Sequence, residues 1–544
     1  MRLFFLISIF ILPCLLRANE GELKPNIIFI LADDLGVGDV ECYGGKRCLI
    51  KTPNIDALAS SGLRFTDAYV NASICGPTRR AIMTGRYPWR FGATTNNGPW
   101  GFCGPRPNTD KSTLGKLLKR AGYVTGYIGK WHLGTIMQTL DGKKQGLNNV
   151  DFDKPLIHGP VQYGFDYSFI LPGSLDMYPY AYARNHVWQG EINTQKGWSA
   201  FNRVGPAEKN FRDHQVLETF YTEAETFIKK QKKKTPFFLY LSLTAPHTPT
   251  SPGAEWRGKS KLGVYGDFVM EVDHSIERVM NALKKNGIDE DTLIIFSSDH
   301  GPAPYAGNIL KATPAQIKKL EAKGHYPSGP YRGYKFSVYE GGLRVPLIAR
   351  WPGKIERGKT CESLVGLNDF FATFAELVGE QKNDQEGPDS ISFAHLLEKP
   401  MSTGKRKSLV MQSVSSFVVR DGKWKLCLCP GSGSNINSEN SKGNDPMPAV
   451  AWSKALKDFK GELSESDCMK GPFVQLFDLS NDPHEDVNLA MKNPDQVNRM
   501  VMLLKTQIEN GRSTPGQKLK NDRNVKMINL KDKRLPKFVR DRLK

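Results

Sequence analysis

Apolar runs without a polar break alternate along the chain with segments whose apolar positions recur every three or four residues. Asn26-Ile-Ile-Phe-Ile-Leu-Ala32 is the first such run, rich in β-branched residues. A run with no polar face predicts a strand buried on both sides, as in a parallel sheet. Pro236–Leu243 and Thr292–Ser297 repeat the pattern, and Gly122–Ile128 reads as another strand. Helical periodicity falls between them. Thr52–Ala59 has Pro53 near its start and Gly62 past its end, the expected asymmetry of a helix. Ser112–Ala121, Glu218–Lys230, Tyr265–Lys285 and Asp369–Val378 read as helices too, and Gly287 closes the long one. This alternation predicts an α/β fold with a largely parallel sheet flanked by helices.

The pattern changes near residue 405. Ser408–Arg420 and Lys423–Cys427 flank an Asp-Gly pair, which predicts a β-hairpin. Gly431–Asn444 is rich in Ser, Gly and Asn and is expected to be a mobile loop. Phe473–Leu479 reads as a strand and Asn493–Asn510 as a helix. The expected organisation is a leader at 1–18, a large α/β domain at 19–405, a smaller α+β domain with an antiparallel sheet at 406–517, and a tail at 518–544.

With 544 residues, 39% apolar and 24% charged, the chain is globular in composition, not fibrous or disordered. It is long enough to bury a large core without disulfide or metal staples. Its 51 Gly and 34 Pro imply many loops. Met1-Arg2, the apolar Leu3–Leu16 and Ala18 form a secretory signal peptide, too short to span a bilayer. A lipid anchor through Cys14 fits poorly with Pro13 beside it. No later segment is long and apolar enough to span. The expectation is an exported protein, periplasmic or secreted, with no integral membrane segment after cleavage.

Net charge is +19, and Lys518–Lys544 alone holds 11 basic and 3 acidic residues, a surplus of eight. A basic exported protein attracts polyanions. No nucleic-acid motif is present, which leaves sulfated polysaccharide. A solvated charge run is the plainer reading of the tail. The nine cysteines match no zinc-ribbon spacing. An oxidising compartment allows disulfides among them, with no connectivity legible from spacing. Cys427 and Cys429 share a strand face and do not suit a bond to each other.

Three buried strands end in groups able to hold a metal or move a proton: Asp33-Asp34, His247, and Asp299-His300. Ligands in open α/β sheets sit at the carboxyl ends of strands. The hard oxygens of Asp33, Asp34 and Asp299 suit Ca²⁺ or Mg²⁺, whereas the imidazole of His300 is softer. Two longer motifs change the picture. Ser73-Ile-Cys-Gly-Pro-Thr-Arg-Arg-Ala-Ile-Met-Thr-Gly85 and Gly122-Tyr-Val-Thr-Gly-Tyr-Ile-Gly-Lys-Trp-His132 occur in order. Together they resemble the two signatures of the type I, formylglycine-dependent sulfatases of the alkaline phosphatase superfamily. The resemblance extends over most of the chain. It takes in Asp33-Asp34, Ser298-Asp299-His300-Gly301, Lys335 ahead of Tyr339-Glu340-Gly341-Gly342, and Leu476 to Leu489 with Asp482-Pro483, Glu485 and Asn488.

The resemblance implies an alkaline phosphatase-like fold: a large mixed, mostly parallel sheet flanked by helices, with a smaller C-terminal α+β domain. It implies that a formylglycine-generating enzyme oxidises Cys75 to an aldehyde, which hydrates to a diol. One hydroxyl attacks sulfur; the other lets the sulfated intermediate collapse, where a plain Ser would be stranded. It implies Ca²⁺, with Mg²⁺ as the alternative, held by Asp33, Asp34, residue 75, Asp299 and His300, the last at a position commonly Asn. The cation would acidify the diol and neutralise sulfate oxygens. Arg79 and Lys130 match groups supporting the diol, His132 the base, His247 the acid that protonates the leaving oxygen, and Lys335 a sulfate-gripping cation. Two histidines in opposite roles suit acid–base work near neutral pH, although a single His is more often a packing residue.

The aromatic-rich stretch from Tyr163 to Tyr180 looks like one in exported bacterial sulfatases acting on galactose or N-acetylgalactosamine sulfates. Asp176, His158, Arg184 and His325 are the subsite candidates. The expected substrate is a sulfated galactan, carrageenan or glycosaminoglycan. Two other readings stand beside this one: a phosphonate monoester or phosphodiester hydrolase of the same superfamily, and a non-catalytic polyanion-binding protein.

Overall fold

The computed structural model describes residues 24–543 except 93, 97, 99, 199–201, 308–314, 415, 434–472 and 529–534. The leader with Cys14, Cys468, and the expected loop beyond Gly433 lie outside the described residues.

A ten-stranded sheet forms the centre. Its strands are β1 (Asn26–Asp33), β2 (Leu63–Phe65), β3 (Val124–Lys130), β4 (Tyr167–Leu171), β5 (Ala183–Arg184), β6 (Val187–Trp188), β7 (Phe237–Pro246), β8 (Thr292–Ser298), β9 (Leu347–Arg350) and β10 (Lys359–Cys361). Their spatial order is β10-β2-β9-β8-β1-β7-β3-β4-β5-β6. The central β8, β1, β7, β3 and β4 are mutually parallel. β9 and β5 run against their neighbours, so the sheet is mixed.

Both faces of the sheet are covered, which is why its central strands carry no polar face. Ile27, Phe29 and Leu31 of β1 enter one core, and Ile28, Ile30 and Ala32 the other. The first core receives the helices α3 (Leu114–Arg120) and α6 (Phe370–Leu377); the second receives α1 (Pro53–Ser60), α4 (Val216–Lys229) and α5 (Val264–Lys285). α2 (Cys75–Thr84) lies at the carboxyl ends of the strands, with all ten residues buried.

A four-stranded antiparallel sheet follows: β11 (Ser408–Ser413), β12 (Ser416–Asp421), β13 (Trp424–Cys427) and β14 (Gln475–Asp478), in that order. Helix α7 (Pro494–Glu509) comes after it. Val410, Val418, Leu426 and Leu476 join the first core, so this sheet shares apolar packing with the large one. Lys425 of β13 reaches Glu340 and Glu485, each at 2.8 Å, with all three side chains fully buried.

One expectation is corrected, and the state of the cysteines is added. Ser408–Arg420 is not one hairpin arm; a turn with Val414 at φ 51° splits it into β11 and β12. Nothing in Ser413-Val414-Ser-Ser416 marks that turn as Gly, Pro or Asn would. The seven described cysteines are all free, so none of the disulfides that the compartment allows is present among them. Among the described residues, no helix is long and apolar enough to cross a membrane.

Candidate active site

The site lies where β8, β1, β7 and β3 end side by side. β1 delivers Asp33 and Asp34; β8 delivers Asp299 and His300; β7 is followed by His247; β3 ends at Lys130, with His132 two residues on. The carboxylates and histidines lie at the carboxyl ends of the strands, where the chain leaves the two cores. Asp34 leaves β1 with φ 66° and its amide donates to Asp299 Oδ1 at 3.1 Å. The amide of Leu35 donates to Ser298 Oγ at 3.0 Å. These bonds tie the ends of β1 and β8 together.

Cys75 enters from the other side as the first residue of α2. Its Sγ is 3.1 Å from His300 Nε2. His300 Nδ1 lies 2.9 Å from the Gly301 carbonyl. A carbonyl only accepts, so Nδ1 carries the proton and the Nε2 lone pair faces the thiol and Asp34 Oδ1, which is 3.3 Å away. Asp33, Asp34, Cys75 and His300 bring four ligand atoms within 4.8 Å of one another.

Cations surround these carboxylates. Arg79, one turn along α2 from Cys75, donates through Nε and Nη2 to Asp299 Oδ2 at 3.1 and 2.8 Å, and its Nη2 is 3.3 Å from Asp33 Oδ1. Its Nη1 donates to Ser242 Oγ at 2.5 Å. Lys130 Nζ is 2.6 Å from Asp33 Oδ2. Lys335 Nζ is 2.8 and 3.0 Å from the two oxygens of Asp34.

Charge states follow from burial set against these neighbours. Burial raises the Asp33 carboxyl, but Lys130, His247, Arg79 and Lys335 outweigh it and hold it well below the usual carboxylate range. For Asp34, burial prevails over Lys335 and His300 and lifts the carboxyl to about 6. Burial pushes the Cys75 thiol up, against the pull of Lys130 and Lys335. An unmodified Cys75 is therefore a protonated, poor nucleophile. Burial and Lys335 lower His247 to about 4, and burial with Lys130 lowers His132 well below its ordinary value.

A divalent cation fits this donor set. Asp33 Oδ1 is buried without a hydrogen-bond partner, and the carboxylate oxygens are hard donors for such an ion. Asp299 stands at the edge of the cluster: its Oδ1 is 3.5 Å from His300 Nε2, while Oδ2 is taken by Arg79.

The sequence-level site residues divide into two groups. Asp33, Asp34, Cys75, Arg79, Lys130, His247, Asp299, His300 and Lys335 form one connected network, and His247 Nε2 is 3.7 Å from Asp34 Oδ2. Asp176 joins that network: its Oδ1 lies 3.9 Å from His247 Nδ1 and has no hydrogen-bond partner, while Oδ2 accepts from Arg203 at 2.9 Å. His132 sits just past Lys130 with φ 53° and its Nδ1 unpartnered.

Arg184, His158 and His325 make their contacts elsewhere. Arg184 is paired with Glu223 of α4 at 2.6 Å. His158 packs edge-on against Tyr163. His325 is bonded at both nitrogens, to Asp39 at 2.9 Å and to the amide of Leu49 at 3.2 Å. The sequence reading had passed over Ser242 and Arg203. Ser242 lies opposite Gly129 in the β7–β3 register; its hydroxyl accepts from Arg79 and donates to the Lys130 carbonyl at 2.8 Å.

The family model described as Sulfatase matches residues 25–380. The chain belongs to the sulfatase family. This sulfatase is 32% identical to an N-acetylgalactosamine-6-O-sulfatase of Bacteroides thetaiotaomicron, over 90% of this chain and 94% of that one. It is 29% identical to the N-acetylgalactosamine-6-sulfatase of Homo sapiens, over 80% of each chain. Among solved structures, a B. thetaiotaomicron sulfatase described in connection with glycosaminoglycan metabolism aligns with a TM-score of 0.73 at 30% identity, covering 89% of this chain and 99% of that one. A protein solved with a bound neocarrahexaose aligns at 0.65 and 26% identity, covering 91% and 95%. A phosphonate monoester hydrolase of Agrobacterium radiobacter, 18% identical with a TM-score of 0.54 over 89% and 95% of the two chains, is alike in fold alone. The sulfatase is a type I enzyme of the alkaline phosphatase superfamily, a sulfuric ester hydrolase whose relatives act on sulfated carbohydrates.

Proposed function

We propose that this sulfatase removes sulfate from a galacto-configured sugar, galactose or N-acetylgalactosamine, in a sulfated polysaccharide, using residue 75 as the nucleophile. The observation that carries the proposal is the buried Cys75 at the head of α2, against His300 and clustered with the carboxylates of Asp33 and Asp34. The relatives named for N-acetylgalactosamine sulfate support the sugar.

A buried protonated thiol is a poor attacking group, which favours its oxidation to formylglycine by a maturation enzyme. The hydrated aldehyde then offers one hydroxyl to attack sulfur and a second whose deprotonation expels sulfate. Asp33, Asp34, Asp299, His300 and residue 75 would hold Ca²⁺, with Mg²⁺ the alternative, and the ion would supply charge neutralisation for sulfate oxygens. The remaining groups act through position. Lys335 and Lys130 place two ammonium groups beside the cluster, where a sulfate ester adds negative charge. Arg79 fixes Asp299 and Asp33. His132, buried and uncharged with Nδ1 unpartnered, is able to take a proton. Burial and Lys335 keep His247 uncharged at neutral pH; the negative charge of a bound ester favours its protonation, and Nε2 can then donate to the leaving oxygen. Asp176, 3.9 Å from His247 with one free oxygen, is placed to orient that ring or to accept from a sugar hydroxyl. The basic Met1-Arg2 followed by the apolar Leu3–Leu16 supports export.

Co-expression with a formylglycine-generating enzyme, followed by assay of free sulfate from a panel of sulfated galactose, N-acetylgalactosamine, glucosamine and fucose saccharides, tests this. Release from a galacto-configured member that is lost in Cys75→Ala is the expected result. Preference for glucosamine or fucose sulfates would overturn the substrate. Faster turnover of phosphonate esters would overturn the reaction class, and binding without turnover by protein with the aldehyde in place would overturn catalysis.

A further inference from the structure

A cavity of about 570 Å³ opens at the far end of α2 from Cys75. α2 has ten residues, so the two ends are about 15 Å apart. The cavity is lined by Arg86, just beyond that helix; by Lys111, Lys116 and Arg120, in and before α3; and by Lys518 and Lys520 of the C-terminal tail. Three carboxylates face these six cations: Asp110, Glu386 and Asp522. Glu380, outside the lining, also pairs with Arg120 at 2.5 Å, so the surplus is two positive charges, whereas in the catalytic cluster Arg79, Lys130 and Lys335 are matched by Asp33, Asp34 and Asp299.

The carboxylates do not spread evenly. Glu386 is occupied by Arg120 at 3.0 and 3.1 Å. Asp522 is divided between Arg86, at 3.3 and 3.4 Å, and Lys111 at 3.7 Å. Arg86 is 7% exposed, and its buried Nε has no hydrogen-bond partner. Lys518 and Lys520 form no ion pair among the described residues. The tail that carries them is fixed to the body rather than loosely solvated. Leu519 N donates to the Asn510 carbonyl at 2.8 Å, Arg90 Nη1 to Asn521 Oδ1 at 2.8 Å, and Asp522 N to the Arg90 carbonyl at 2.9 Å. Lys518 and Lys520 are thus held at the cavity, where unpaired cations in a concave site favour an anionic ligand.

We propose that this cavity is a second binding site, taking a sulfated segment of a polysaccharide at a distance from the point of hydrolysis. The ligand class rests on the proposed function; the site itself rests on the cavity and its charges. The test uses the full chain carrying Cys75→Ala, so that no ligand is hydrolysed, and measures affinity for chondroitin sulfate chains by titration at two salt concentrations. Lys518→Gln with Lys520→Gln is expected to weaken binding about tenfold and to reduce its salt dependence. Arg86→Gln is expected to weaken it by a similar factor. Lys143→Gln with Lys144→Gln, an exposed pair away from the cavity, removes the same charge and is expected to change binding less than twofold. Equal losses from the two lysine pairs would overturn the site. Duplex DNA bound as tightly as the sulfated chain would overturn the ligand class. Because binding is read without turnover, a failure to release sulfate would count against the proposed activity and leave this site standing, and the reverse also holds.

Discussion

On the proposed route residue 75 carries the chemistry, and its surroundings set what each substitution is expected to do. Cys75→Ala is expected to abolish sulfate release. Cys75→Ser tests the second half of the reaction: it is expected to release one equivalent of leaving group in a burst and then stop, since a single hydroxyl cannot expel the sulfate. Steady turnover by the serine protein would refute a role for the second hydroxyl. Arg79 is the counter-charge to two buried carboxylates, and Arg79→Ala leaves both without it. The expected cost is about 3–5 kcal/mol, the usual penalty for stranding a buried charge, read as a fall in urea midpoint at unchanged slope. These residues were legible because the two signature stretches carry them consecutively. Ser242 and Arg203 were not, since each acquires its role from a partner far away in sequence, Arg79 and Asp176 respectively.

Elements were legible where one periodicity ruled. β1, β7 and β8 and the helices α1, α3, α4, α5 and α6 fall within a few residues of the positions expected from the apolar pattern. α2 was not foreseen as a helix, because it has no exposed face: Arg79 and Arg80 are buried along with Ile82, so polar and apolar positions do not sort into an outer and an inner side. Two predictions belong here. At Gly129 in β3, φ is 115° and a Cβ would stand 1.8 Å from the Ser242 carbonyl oxygen. Gly129→Ala is expected to push β3 from β7 beside Lys130, lowering both thermal stability and sulfate release. On α5, Glu271 accepts from the Gly253 amide at 2.8 Å through Oε2, while Oε1 has no partner. Burial lifts this carboxyl from 4.5 to about 8. Between those values the folded state binds more protons than the unfolded, so stability falls as pH rises through that window and levels off above it. Glu271→Gln removes the titration. Its midpoint temperature is expected to match the parent near pH 4.5 and to exceed it increasingly up to pH 8; a pH-independent difference would show that Glu271 does not carry the effect.

For the whole molecule, the change of pattern at residue 405 correctly marks a second sheet, but not its dependence on the first. Its apolar residues complete a shared core, and Lys425 inserts its charge between Glu340 of the large part and Glu485. A fragment ending at residue 405 is therefore expected to be insoluble or molten, with strong dye binding and no near-ultraviolet dichroism; a soluble, cooperatively folded fragment would contradict this. Sequence spacing could not show the sharing, because it arises from contacts across hundreds of residues.

The burial of Cys75 sets an order of events. Its side chain has no exposed surface in the folded protein, and it is enclosed by strand ends and loops gathered from residues 33 to 335. Once these pieces have assembled, all ten residues of α2 are buried, so a maturation enzyme cannot take hold of the segment that carries the thiol. On the proposed route, oxidation must therefore happen while the chain is still open, and maturation competes with folding. A chain that folds first is trapped as a stable, correctly shaped and inactive protein. Slower folding would then raise the active fraction, reversing the usual link between folding efficiency and yield of activity.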